Sequence, residues 1–530
     1  MMQTRRTGLR IAVCLIVLTF GTITVNAGPA NAAETGVWTP LKSLAPDFTG
    51  TMLLLTDGTV LVQGYLPGND WMRLTPDASG SYINGTWSTV APMSIPRLYY
   101  ASHVLQNGKL WLLGGEYTGF PPTAKWTNTG EIYDPVANTW SPIAHHPEGN
   151  FGDVPSMLLS NGKILAGSLG TNKTYLYDIA TDTWSAAGTK VHDDRSNEEG
   201  WVKLPDGSVL TYDLFKSIAT SGAYAEKYVP STNTWVSISP SDGTASGVIP
   251  QLSSAQIGFE LGPLVRLYDG RIFVIGATGH TALYTPSTNT WAAGPDIIGN
   301  FLGFIPILWG ADDAPAAVLP NGHVLFTADA GPTLGTFKPP TETFEFDPST
   351  DTISLVGSPS FFVNLLGAFL SRMLVLPTGQ VLFSDVLNQL WVYTSPGAPP
   401  DELRPQIDDI TYEGAGIFLM SGRQLNGQSA GSSYGDDAES DENYPIVSLM
   451  DTAGKVFYAR TTNWSTTEVA TGALPETVNF TLPASLVNPG LYQATVTGAG
   501  ISSGTPFTLE ITAAEIAGMC GDINDPTCPQ

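Results

Sequence analysis

Cysteine is nearly missing from this chain. Among 530 residues there are only Cys14, Cys520 and Cys528. The long stretch between them must therefore fold without disulfides. Cys520 and Cys528, in the tail CGDINDPTC, are able to close one small loop in an oxidising compartment, or stand there as idle thiols. Basic residues are also scarce, with 23 Lys and Arg against 48 Asp and Glu and a net charge of −25. A surface of that sign repels nucleic acid and anionic lipid and attracts cations or basic partners. Nucleophile-elbow, P-loop and dinucleotide glycine fingerprints do not occur. Beyond the N-terminus, no apolar run is long enough to cross a bilayer.

What is present is the punctuation of a turn-rich, strand-rich protein: 56 glycines, 40 prolines and 10% aromatics at only 13% charge. Residues 1–32 have a basic head (Arg5, Arg6, Arg10), the apolar run IAVCLIVLTF and a small-residue end at Ala30 and Ala32. That order reads as a secretory signal peptide, the alternative being a retained anchor. The paired arginines hint at twin-arginine export. Without this segment the net charge deepens to −28, because it carries three arginines and no acid. A secreted or cell-envelope protein is expected, with no membrane span after signal removal.

Seven hairpin signals follow: TDGT, QNGK, SNGK, PDGS, YDGR, PNGH and PTGQ, with glycines at 58, 108, 162, 207, 270, 322 and 379. Asp-Gly and Asn-Gly pairs predict two-residue turns whose central residues take positive φ. The glycines recur every 45 to 63 residues, the spacing of propeller blades. After most hairpins comes an aromatic strand (EIYDP, YLYD, EKYVP, ALYTP, FEFDP, LWVYT). A second strand then carries Trp87, Trp140, Trp184, Trp235 and Trp291, with Ile353 in the sixth place. Four strands in each of seven units predict a seven-bladed β-propeller. The seventh unit, RMLVLPTGQVLF then LWVYTSPGAPP, ends without its tryptophan strand. The segment GVWTPLKSL at 36–44 is a tryptophan strand without a unit. Trp38 is thus expected to complete the last blade and close the ring. The boundaries predicted are a propeller over 33–400, an all-β unit over 401–513 read as an immunoglobulin-like sandwich, and a tail over 514–530.

The order of hairpin, tyrosine and tryptophan resembles kelch repeats, although the double glycine survives only at Gly114-Gly115. A propeller followed by YPIVSLMDTAGKVFYARTTNWS and PGLYQATVTGAG is similar to the galactose-oxidase-like architecture with its early-set C-terminal domain. That resemblance implies a copper site of two tyrosines and two histidines, with one tyrosine linked to a cysteine. Tyr99 stands where one tyrosine would. Phe369-Leu370 stand where the Tyr-His pair would, no histidine follows His323, and the corresponding early-set loop offers Thr461, Thr462 and Asn463. No cysteine falls in the propeller, so copper is not expected.

Counting back nine or ten residues from the hairpin glycines gives acids in four successive units: Asp153, Glu198 with Glu199, Glu260, and Asp313 with Asp312. Arg97, Tyr99 and Arg372 come from the others. All are expected on the loops leading into the inner strands, around the channel mouth. Carboxylates gathered there must hold a cation, share protons or pair with arginine. Asp153, Glu198, Glu260 and Asp313 are the candidate metal ligands, with Ca²⁺ the candidate ion. The other reading is that these acids cap backbone N–H groups between blades. His145, His146, His192 and His280 have no ligand spacing and read as solvated loop residues. The acidic run YGDDAESDEN lacks the spacing of a calcium loop. Three functions stay open: a monomeric binder of an extracellular glycan or protein at the mouth, a glycoside hydrolase or lyase using two of the carboxylates, or a protein-interaction scaffold.

Overall fold

The structure, a computed structural model, describes residues 36–66, 68–119, 123, 125–434 and 443–519. The signal-peptide reading, most of the acidic run and both tail cysteines lie outside them. Seven sheets are arranged as blades, five of them four-stranded; in blades five and six the four consecutive strands gain a fifth, Ser246–Gly247 and Ser432–Tyr434. Their inner strands are Thr49–Leu54, Ala101–Val104, Ser156–Leu158, Trp201–Lys203, Leu264–Arg266, Pro315–Val318 and Arg372–Val375. Almost every side chain on these strands is buried, because each strand has neighbouring blades on both faces.

The seven turns share one geometry, and it differs from the expected two-residue type. In the first blade, Leu55 N–H bonds Thr59 O at 2.8 Å and Gly58 N–H bonds Leu55 O at 3.0 Å. That makes a three-residue loop in which only the glycine is left-handed, with φ between 74° and 90° over the seven blades. The preceding Asp or Asn keeps negative φ. Instead, its side chain accepts from the N–H two residues on, at Asp57, Asn107, Asn161, Asp206, Asp269 and Asn321. Asp-Gly serves both turn types, and the extra residue becomes a bulge beside a buried leucine.

The outer strands bind blade to blade. In blades two to five, a left-handed Asn or Asp (Asn138, Asp182, Asn233, Asn289) starts the tryptophan strand. Its Oδ1 accepts from the tyrosine hydroxyl of the third strand: Tyr133, Tyr177, Tyr228 and Tyr284. The indole N–H then reaches the previous blade. Trp140 donates to Ala91 O, Trp184 to Ala144 O and Trp291 to Ile238 O, at 2.8 to 2.9 Å. Closure follows the same rule. Val37–Pro40 pairs antiparallel with Trp391–Thr394, Trp38 lies opposite Tyr393, and its indole donates to Gly357 O of blade six at 3.0 Å.

Residues beyond 400 form one continuous, curled path of paired strands: 406–414, 417–423, 475–481, 456–462, 446–450, 490–498 and 501–502, with 507–511 on 490–498. The unit is all-β, as expected; its pairing does not separate into the two sheets of a sandwich. The tail is not wholly irregular. Thr512 and Glu515 form a capping box for the helix Ala513–Gly518, whose Ile516 is buried in the core.

This unit docks on the hairpin face of the ring. Thr461 N–H bonds Thr56 O, Asn463 N–H bonds Gln106 O, and Lys203 Nζ bonds Thr467. The segment ARTTNWS therefore sits opposite the mouth. What enters the channel is Ser432–Tyr434, which adds a strand to Pro315–Val318. The space left between it and the inner strands holds about 80 Å³ open to water.

Trp38→Ala removes both the closing indole bond and ring contacts to Tyr393 and Phe383. It should cost about 2–4 kcal/mol, somewhat below the loss from a fully buried tryptophan. Thermal or denaturant unfolding measures this, and a variant as stable as its parent removes the closure argument.

Candidate functional site

The loops leading into the inner strands surround the end of the channel away from the C-terminal unit. Five of them use a strained residue at or beside the predicted position. Tyr99, Asp153, Glu198 and Asp313 have φ of 50° to 61°, and Phe259, next to Glu260, has 71°. A left-handed tyrosine or phenylalanine is costly and needs packing to hold it.

Three of the four candidate ligands converge. Glu198, Glu260 and Asp313 each offer a carboxylate oxygen, and these atoms lie within 4.8 Å of one another. Glu198 and Glu260 are buried and Asp313 is half-buried. Asp153 is buried too, but it joins no such group among the described residues; its backbone carbonyl takes the Glu198 N–H at 3.0 Å.

From blade seven, Arg372 places its guanidinium 3.7 Å from the centroid of the Tyr434 ring and 5.9 Å from that of Tyr99. Arg372 Nη1 donates to Phe369 O and Ser371 O, and Tyr434 Oη donates to the same Phe369 O. Burial, with the neighbouring Tyr65 and Tyr434 phenols, pushes the Tyr99 hydroxyl well above its ordinary pKa. Tyr434 could not be found by blade arithmetic, because it comes from outside the ring. On the far side of the triad, Phe259 stacks on Phe215 at 5.1 Å, and Arg195 covers Phe215 at 3.7 Å.

The remaining predicted residues turn away from the mouth. Arg97 is buried within blade two, paired to Glu131 at 3.1 Å and bonded to Gly114 O and Thr129 O. Asp312 accepts from Phe337 N–H and faces Asp329; burial raises both carboxyls, Asp312 to about 6. Glu199 points into blade four, where Lys190 Nζ lies 2.5 Å from it, 3.1 Å from Asp213 and 3.8 Å from Glu226, all with side chains fully buried. Burial raises Glu199 to about 8. Burial and the Asp213 charge take Glu226 to about 10, while Asp213 is held low against burial by Lys190 and His192. Lys190 is the resident cation of this cluster, and a structural one.

Two of the four loop histidines are not solvated. His146 is buried among Phe151, Tyr175 and Trp184, and desolvation lowers it to about 4. His192 bonds Asp213 at 2.6 Å and Asp242 at 3.1 Å. Burial opposes its protonation, but those two carboxylates prevail and raise its pKa.

Residues 97–147 match the Kelch motif profile, and the ring is a seven-bladed kelch-repeat propeller. The chain is 24% identical over 336 residues to Kelch-like protein terF of Aspergillus terreus, covering 58% of this chain and 68% of that one. It is 28% identical over 210 residues to mouse Kelch-like protein 35, covering 38% and 33%. Among solved structures it is similar to a copper-bound fungal alcohol oxidase of the AA5 family, at 16% identity and a TM-score of 0.34 over 88% and 85% of the two chains. It is also similar to YjhT, at 12% identity and a TM-score of 0.39 over 59% and 98%. No helix among the described residues is long and apolar enough to cross a membrane.

Two predictions follow from blade four. Lys190→Met leaves buried carboxylates without their cation and should destabilise by about 3–5 kcal/mol, read from denaturant unfolding. His192→Asn should cost most stability below pH 6.5, where both folded and unfolded imidazoles are protonated. The gap to the parent should close as pH rises through the elevated folded pKa. A gap that widens with pH contradicts the assignment.

Proposed function

We propose that this is an exported binding protein that holds a divalent cation, Ca²⁺, at the propeller mouth and uses it to engage a polar ligand such as a glycan. The observation that carries this reading is the triad Glu198–Glu260–Asp313, contributed by three successive blades with oxygens within 4.8 Å. Calcium takes carboxylate oxygens at 2.3–2.6 Å, so ligands on opposite sides of one ion are about 5 Å apart. Three carboxylates from three blades form the hard, oxygen-rich set that calcium takes. Three acids converging on one point, where a glycosidase needs two flanking a bond, favour a cation over acid–base hydrolysis. Asp153, one blade away, and the pair Phe215 and Phe259 border the same mouth and belong to the ligand's surroundings. The N-terminal signal reading supports export, and the acidic net charge suits a cation-dependent monomer.

Copper of the galactose-oxidase type does not fit the residues around Tyr99. From blade seven the Arg372 guanidinium, a fixed positive charge, lies 5.9 Å from its ring centroid. Phe369 contributes its carbonyl to Arg372 and Tyr434, and the sequence has no histidine after His323. We derive no copper chemistry from this site.

Ca²⁺ should raise the melting temperature, by about 2.7 kcal/mol of stabilisation at a hundredfold excess over Kd. Asp313→Asn should blunt the rise without unfolding the protein. Neutralising Asp436 and Asp437 should leave the response intact. Melting indifferent to calcium in both parent and Asp313→Asn would sink the cation reading.

A further inference from the structure

The mouth face carries a second feature that the cation triad does not explain. Two segments there are devoid of charge in a chain of net charge −25: residues 297–311 (IIGNFLGFIPILWGA) and 352–371 (TISLVGSPSFFVNLLGAFLS). Both lead from an outer strand to the next inner strand, so both project on the side away from the C-terminal unit. The first forms a hairpin of Ile298–Phe301 with Ile305–Leu308, outside the blade sheets. Its tip turns through Gly303, and Leu302 and Phe304 on either side are 68% and 73% exposed. In the second segment Phe361 and Phe362 are 70% and 59% exposed.

Between these two lies more apolar surface. The short helix Gly331–Leu334, with Leu334 exposed, packs against Ile305–Leu308. Phe337 follows it and meets Phe369 with ring centroids 4.5 Å apart. The turn Val363–Leu365, with Leu365 exposed, packs on the strand Thr341–Asp347. The result is a crown of aliphatic and phenylalanine side chains over blades five to seven. Exposed apolar clusters of this kind mark contact surfaces.

We propose that this crown inserts into an electrically neutral lipid surface. The most exposed residues sit on a projecting tip, a convex shape that a soft interface accepts without a matching groove. A stable protein partner or a second copy needs about 800 Å² of fitted surface per side. A second copy also brings the same large negative charge. Anionic bilayers repel the protein for that reason. A zwitterionic bilayer imposes neither shape nor sign, and uncharged side chains enter it without bringing a charge out of water.

The test is co-sedimentation of the full chain with phosphatidylcholine vesicles in EDTA, so that the outcome is independent of calcium at the mouth. The parent should pellet with these vesicles, and less when phosphatidylserine is added. The pair Leu302→Asp and Phe304→Asp should weaken partitioning at least tenfold. So should Phe361→Asp with Phe362→Asp, which guards against misfolding of either variant alone, with melting curves as the check on both. Val136→Asp, at an exposed valine on a turn between outer strands of blade two, should bind like the parent. The proposal is overturned if the parent ignores every vesicle or if both folded pairs bind undiminished. It is equally overturned if sedimentation shows a dimer that these substitutions dissolve, since a second copy would then cover the crown.

Discussion

Six of the seven blades are tied to the one before by an indole hydrogen bond, blade six carrying Ile353 in that place, and the alignment of the ring rests on that tie. A four-stranded blade alone has two apolar faces and two open edges, and cannot bury those faces by itself. Face packing against neighbours buries the apolar surface but fixes no rotation between blades. The tryptophan of the outer strand supplies that constraint: its ring packs on the tyrosine beside it, and its N–H finds a carbonyl on the previous blade. The left-handed Asn or Asp at the start of the strand completes the set. Its side chain takes the tyrosine hydroxyl and, at Asn138, Asp182 and Asn233, a backbone N–H of the preceding blade as well. Trp38 performs the same task across the joint between the chain's two distant ends.

This local character is why the ring could be read from the sequence. Turn, tyrosine and tryptophan lie within about fifty residues of each other, and a blade short of one strand points to the segment that has no blade. The turn type was not legible, because Asp-Gly is compatible with a two-residue and a three-residue loop alike. Offsets from the hairpin glycine put the right loops at the mouth but did not say which of two adjacent acids faces it. Glu198 joins the triad while Glu199 turns to Lys190; Asp313 joins while Asp312 faces Asp329. Neighbouring side chains leave the backbone in different directions, and a positive φ at Glu198 and Asp313 alters that direction again. Tyr434 was invisible to any count, since it comes from outside the ring, and Lys190 holds no repeated position in the blades although its partner Glu199 is close in the chain.

Charge is distributed by blade. Blade four encloses its carboxylates around Lys190, where burial raises Glu199 and Glu226 and the ammonium holds Asp213 down. Blade two encloses Arg97 against Glu131. The mouth triad instead draws one acid from each of three blades. It exists only in the assembled ring, so its geometry reports on the spacing between blades and not on any one of them.

The strand Ser432–Tyr434 narrows the bore of the propeller to the small space open to water beside it. The same strand also sets an order of assembly. Val37–Pro40 is synthesised first but has no partner until Trp391–Thr394 has been made, some 350 residues later. The axial strand, Ser432–Tyr434, comes later in the chain still. Pairings this distant in the chain form slowly. Until the last blade arrives, the first blade has one face bare, and the newborn chain has to be kept from sticking through it.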